Sequence, residues 1–155
     1  MKYLFLILSS IVLAYLIVVI FIYFYQRNLL YHPSENNYQN DKVKFNYEEV
    51  YIDVDDKIKL KSWFINKDLK KFKTLLIFHG NAGDLSNRIY KLNELNKLDI
   101  NILLISWRGF SGNKGSPTEK NLYQDGNASI KWLNDKKIDN NKIILYGESL
   151  GTGVA

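Results

Sequence analysis

The chain has 155 residues, no cysteine and a formal net charge of +5. Without cysteine it can form neither a disulfide framework nor a thiolate zinc site. The excess charge comes from lysines scattered singly or in pairs (Lys70-Lys71, Lys136-Lys137) among acids. With no basic cluster and no aromatic RNA-binding motif, this is the pattern of a solvated surface and argues against a nucleic-acid partner.

The first predicted element is a membrane helix. Residues 4–24, "LFLILSSIVLAYLIVVIFIYF", carry no charge. As a helix they span roughly 30 Å at about 1.5 Å per residue, the thickness of a bilayer's hydrocarbon core. Tyr3 lies at one end and Tyr23 and Tyr25 at the other, where amphipathic rings favour the interface. A cleaved signal peptide has a shorter apolar run ending in small residues. This run ends in Tyr23-Phe24-Tyr25-Gln26-Arg27, so residues 1–27 are read as an uncleaved anchor, with residues 3–25 in contact with the lipid bilayer. Lys2 before the span and Arg27, Lys42 and Lys44 after it are too evenly balanced to set the membrane side of the remaining chain. Pro33 disfavours helix at His32, and residues 28–46 are expected to form a polar juxtamembrane linker.

Residues 47–54 and 57–65 alternate apolar and polar positions, which predicts a β-hairpin turning at residues 53–57. The acids Asp53, Asp55 and Asp56 lack the glycine and distal glutamate of a calcium loop, so a plain turn is expected and no metal is assigned. Residues 74–78 then form a short apolar run typical of a strand buried on both faces. Asp84 can cap a helix whose inward residues would be Leu85, Ile89, Leu92, Leu95 and Leu98. Residues 100–105 are a second buried strand. Thr118 can cap a second helix running to about Asn134, with Leu122, Ile130 and Leu133 inward, and residues 142–146 are a third buried strand. Strand, helix, strand, helix, strand predicts an α/β fold with a parallel sheet.

Ligands of open parallel sheets bind beyond the carboxyl ends of the strands, and here each of the three strands is followed there by a glycine-bearing loop. The last of these, Gly147-Glu148-Ser149-Leu150-Gly151, fits G-x-S-x-G directly after a strand. That turn holds a nucleophilic serine in a strained backbone, and the two glycines remove the clash on either side. Ser149 is the candidate nucleophile. An attacked carbonyl becomes an oxyanion that needs preorganised donors. The backbone N–H groups of Leu150 and of Asn81, in the loop after the first strand, are assigned that role. His79, Gly80, Gly147 and Gly151 are assigned as loop support. Asp125 is paired with Arg108 to fix the long loop.

The segments "FHGNAGD" (78–84), "WRGFSGNKGSPTE" (107–119), "LYQDG" (122–126) and "YGESLGTGVA" (146–155), with the N-terminal anchor and "YHP" (31–33), together resemble the α/β-hydrolase superfamily. The nearer likeness is to its membrane-anchored Bem46-like branch, related to the ABHD-type serine hydrolases. The resemblance covers the whole chain. It implies an α/β-hydrolase domain over residues 47–155 and a Ser-His-Asp triad. It also implies cleavage of acyl ester, thioester or amide bonds in an acyl-bearing substrate, without a cofactor.

In such folds the acid and the histidine follow the serine along the chain. The two histidines here, His32 and His79, both precede Ser149. The expectation is therefore an N-terminal portion of a longer protein, truncated before the triad acid and histidine and inactive by itself. Its last strand would have an unpaired apolar edge. The competing reading is a non-catalytic, membrane-tethered α/β binding domain or a gene fragment.

Overall fold

The structure is a computed structural model that describes residues 1–34, 43–55 and 57–155. Much of the linker expected over residues 28–46, and Asp56 of the hairpin turn, lie outside the described residues. The chain divides into two compact units, Met1–Tyr31 and His32–Ala155.

The first unit is one helix, α1 (Lys2–Leu30), of 29 residues. It is long and apolar enough to cross a membrane, and none of its residues is buried within the protein. Its few polar side chains turn back on the helix itself. Ser9 and Ser10 donate to the carbonyls of Phe5 and Leu6 (2.7 and 2.9 Å), and Gln26 donates to that of Tyr23 (2.8 Å). A hydrocarbon environment requires such internal satisfaction. The helix ends where Tyr31 turns extended, two residues before Pro33.

The second unit opens with the two-residue strand β1 (His32–Pro33), followed by β2 (Glu48–Asp53) and β3 (Lys59–Ile65). β2 and β3 form the expected antiparallel hairpin. At its turn the Asp55 carboxylate accepts from the backbone N–H groups of Lys57 and Ile58 (both 2.9 Å). β4 (Thr74–Phe78) is buried along its whole length and leads to the short strand β5 (Ala82–Gly83), which pairs in parallel with β1. A 3-10 turn, Leu85–Arg88, and helix α2 (Ile89–Leu95) come next, then β6 (Asn101–Ile105), helix α3 (Glu119–Asp135) and β7 (Ile143–Gly147).

Among the described residues the main sheet has five strands in the order β2-β3-β6-β4-β7. β6, β4 and β7 run parallel, and β3 is antiparallel to both β2 and β6. In-register neighbours share a face, so Trp63, Leu104 and Ile77 line one side and Phe64, Leu103 and Leu76 the other. The first face packs with Leu85, Ile89 and Leu92 of the β4–β6 crossover into one buried cluster. On the second face Phe64 meets Trp132 of α3 edge-on at 5.2 Å. Burying each of these aliphatic side chains contributes about 1.5–3 kcal/mol.

Both predicted caps are present. Asp84 accepts from the N–H groups of Ser86 and Asn87 in a reciprocal capping box, and Thr118 accepts from that of Asn121 (3.2 Å). Three sequence expectations are corrected. The first crossover helix starts as a 3-10 turn and stops at Leu95, which leaves Leu98 about half exposed (52%). The chain must turn there to enter β6, where the buried Asn101 side chain is bonded to the backbone of Lys67, Asp68 and Phe72. Ile130 is only half-buried on α3. The third strand, expected to be buried, exposes Ile144, Leu145 and Tyr146 at 38–42%. β7 forms one edge of the described sheet, as the apolar-edge expectation required.

Candidate active site

The three loops after β4, β6 and β7 hold the candidate residues. At the end of β7 the chain turns at Ser149, whose φ is 50°, a left-handed conformation rare for a residue with a side chain. Ser149 starts a 3-10 turn, Ser149–Gly153, and is exposed. The turn is pressed against the last residue of β4. The N–H of Glu148 donates to the Phe78 carbonyl (2.9 Å), and a Cβ on Gly151 would lie 2.1 Å from that same oxygen. A Cβ on Gly147 would lie 2.5 Å from the Cα of Thr152. Both positions therefore exclude any side chain, for steric reasons that involve backbone atoms.

The loop after β4 runs beside the serine. A Cβ on Gly80 would lie 3.5 Å from both the Glu148 carbonyl and the Ser149 Cβ. Next comes Asn81, half-buried, whose carbonyl accepts from the N–H of His32 (2.8 Å). Ser34 continues this pairing, with its N–H to the Gly83 carbonyl (3.1 Å) and its hydroxyl to Asp84 (3.3 Å). His32, Pro33 and Ser34 thus hold the loop that contains Asn81.

His79 is fully buried, with Nδ1 2.7 Å from the Gly80 carbonyl and Nε2 3.3 Å from the N–H of Trp107. A carbonyl only accepts and an N–H only donates, so Nδ1 has the proton and Nε2 accepts. Burial, with the nearby Arg88 charge, pushes the imidazole pKa down to about 3 and keeps it neutral. The Trp107 indole returns a bond to the His79 carbonyl (2.9 Å). Nε2 ties the loop after β4 to the loop after β6, Nδ1 is engaged within its own loop by Gly80, and neither nitrogen is available to serve as a base. Among the described residues no side chain hydrogen-bonds to the Ser149 hydroxyl.

The expected Arg108–Asp125 pair is present and deeply buried. The Arg108 N–H and Nε bond to the carboxylate at 3.0 and 2.8 Å, and its Nη2 does so at 2.6 Å. Burial pushes the Asp125 carboxyl up, against the opposing pull of Arg108. The pair anchors the long loop to α3 in the way expected from the sequence.

Sequence reasoning missed Arg88 and Lys91. Arg88 is 7% exposed; its Nη1 donates to the carbonyls of Ala82 (2.8 Å) and Asp84 (3.2 Å), and its Nη2 reaches Glu148 (3.4 Å). Lys91 donates to the other Glu148 oxygen and to the Tyr146 hydroxyl (3.2 Å). Desolvation raises the Glu148 carboxyl, but Lys91 and Arg88 outweigh it and hold the group below its ordinary value. A signal was there to be read. Arg88 is on the inward stripe, three residues after Leu85 and four before Leu92, where a charge must be paired. Arg88, Lys91 and Glu148 help line a groove of about 420 Å³, together with Ala82, Gly83, Asn87 and Tyr90.

A sequence model described as the alpha/beta hydrolase fold matches residues 73–155, more than half of the chain. The chain belongs to the alpha/beta hydrolase family. Within it, the chain is 33% identical over 145 residues to protein bem46 of Schizosaccharomyces pombe, which covers 87% of this chain and 48% of that protein. It is 31% identical over 137 residues to an uncharacterized membrane protein of Saccharomyces cerevisiae, covering 84% and 48%. Among solved structures it is similar to the Pyrococcus furiosus esterase Pf2001, with a TM-score of 0.61 and 25% identity over 81% of this chain and 51% of that one. The chain spans about half the length of the curated relatives it matches.

Proposed function

We propose that this protein is a membrane-anchored serine hydrolase acting on acyl ester, thioester or amide bonds, with Ser149 as nucleophile. The observation that carries the reading is the backbone at Ser149. A left-handed serine directly after a parallel strand, between two glycines that cannot take a Cβ, is the arrangement that presents a hydroxyl to a substrate. The N–H groups of Asn81 and Leu150 receive the oxyanion, and α1 crosses the bilayer. The triad acid and histidine belong to sequence beyond Ala155. The order of the triad in this fold and the length of the relatives support that assignment.

In the reaction, the Ser149 Oγ attacks the acyl carbon while its proton passes to the histidine. The tetrahedral intermediate collapses, the acyl–heteroatom bond breaks, and the leaving alcohol, thiol or amine takes that proton. Water, deprotonated by the same histidine, then attacks the acyl-enzyme, and the carboxylic acid leaves as Ser149 regains its proton. Neutral, buried His79 holds the loops and takes no part in the proton transfers.

The test is hydrolysis of p-nitrophenyl acyl esters by the full-length protein in membranes. Ser149→Ala should abolish turnover, a fall of at least about 10³-fold, and the 155-residue chain alone should show none. Equal hydrolysis by wild type and Ser149→Ala would overturn the reading. So would full activity of the 155-residue chain, which would remove the need for a downstream histidine. The second reading, a non-catalytic tethered binding domain, draws on the exposed apolar β7 edge and would be favoured by folded full-length wild type showing no turnover.

A further inference from the structure

We infer that Arg88 is a positioning residue that sets the spacing between the two halves of the oxyanion hole, acting through a bridge to Glu148. The inference rests on the hydrolase reading above. The two proposed donors come from different loops, Asn81 after β4 and Leu150 after β7, so something must fix one loop against the other.

Arg88 spans that gap with a single rigid group. On one side its Nη1 holds the carbonyl of Ala82, the residue after Asn81, at 2.8 Å, and that of Asp84 at 3.2 Å. On the other side its Nη2 reaches Oε1 of Glu148, the residue before Ser149, at 3.4 Å. Glu148 is itself built into the turn. Its N–H bonds to Phe78 and its carbonyl accepts from Gly151, both at 2.9 Å. The Asn81 carbonyl is pinned separately by His32. The Ala82 and Asp84 carbonyls, in the loop after Asn81, and the side chain of the residue just before Ser149 are therefore held by one guanidinium.

The chemistry selects arginine. Three acceptors in different directions, two of them main-chain carbonyls, match the planar fork of a guanidinium. A lysine ammonium carries the same charge but is a point donor on a flexible stem. Arg88 is almost wholly buried, so its charge must be met, and Glu148 meets it while Lys91 shares the same carboxylate. Displacing an oxyanion donor costs rate in the step where charge develops, and leaves ground-state binding largely intact.

The experiment measures kcat and KM for p-nitrophenyl butyrate with the full-length protein, in wild type, Arg88→Lys, Glu148→Leu and the double variant. Arg88→Lys and Glu148→Leu should each lower kcat about ten- to hundredfold with KM within about twofold. The double variant should be no worse than the poorer single one, because both changes remove one bridge. If Arg88→Lys fails to fold, Glu148→Leu and its kcat-to-KM split carry the test. Multiplying effects in the double variant, a loss confined to KM, or wild-type kcat in both single variants would overturn the inference while leaving the hydrolase reading intact. A wild-type protein without Ser149-dependent turnover would overturn both.

Discussion

β4 and β7 are neighbouring parallel strands of similar chemistry, "TLLIF" and "IILYG", yet every residue of β4 is buried while Ile144, Leu145 and Tyr146 stay 38–42% exposed. β4 has β6 on one side and β7 on the other, with helical segments over both faces. Among the described residues β7 has β4 alone. An apolar run therefore specifies a strand that needs covering, and the neighbours decide whether the cover is present. The serine turn comes after the less covered strand, but its position is set from the covered one. Glu148 bonds to Phe78, and Gly151 is packed against the same carbonyl.

The comparison can be broken by substitution, and the largest effect should come from β4. In the 155-residue chain Leu76→Asp places a carboxylate where Leu76 has no exposure, and should cost at least about 5 kcal/mol. Urea denaturation of the chain in detergent should find no folded baseline. Gly151→Ala tests the junction between the strands. Its Cβ would meet the Phe78 carbonyl at 2.1 Å, a contact that only backbone movement relieves, so a loss of about 3 kcal/mol is expected in the same assay.

An effect whose slope per pH unit is smaller comes from His79, the residue after β4. Its imidazole stays neutral in the fold down to about pH 3, whereas in the unfolded chain it takes a proton near its ordinary value of 6.5. As pH falls between those values the unfolded state binds the extra proton. The stability His79 contributes is thus complete above pH 6.5 and is lost on going down, by at most about 1.4 kcal/mol per pH unit. The pH slope of wild type minus His79→Asn should show this difference; parallel slopes would refute a neutral, buried imidazole. The smallest effect should be that of Leu145→Asp, about 1 kcal/mol in the 155-residue chain. A longer protein that pairs another strand with β7 should bring that cost close to the one at Leu76, which makes the pair of variants a gauge of cover.

Most of the scaffold was legible because its signals are local. The apolar runs gave β4 and β6, Asp84 and Thr118 marked helix starts, and glycines two residues either side of Ser149 marked the turn. The Arg108–Asp125 pair was legible too, as two opposite charges in a loop and on the next helix. The features that escaped depend on pairs distant in sequence. Nothing local in His32-Pro33 says that it will pair with Ala82-Gly83, and nothing in Arg88 names Glu148 as its partner. Leu98 misled because helical spacing continued past the point where the chain had to turn toward Asn101.

The central claim is that Ser149 is a nucleophile, and covalent site mapping tests it most directly. Membranes containing the full-length protein would be treated with a fluorophosphonate probe, digested, and the adduct located by mass spectrometry. The account requires the adduct on Ser149, its loss in Ser149→Ala, and its persistence in His79→Asn, whose ring serves the loops rather than the reaction. An unlabelled Ser149 in folded protein, or an adduct unchanged by Ser149→Ala, would contradict it.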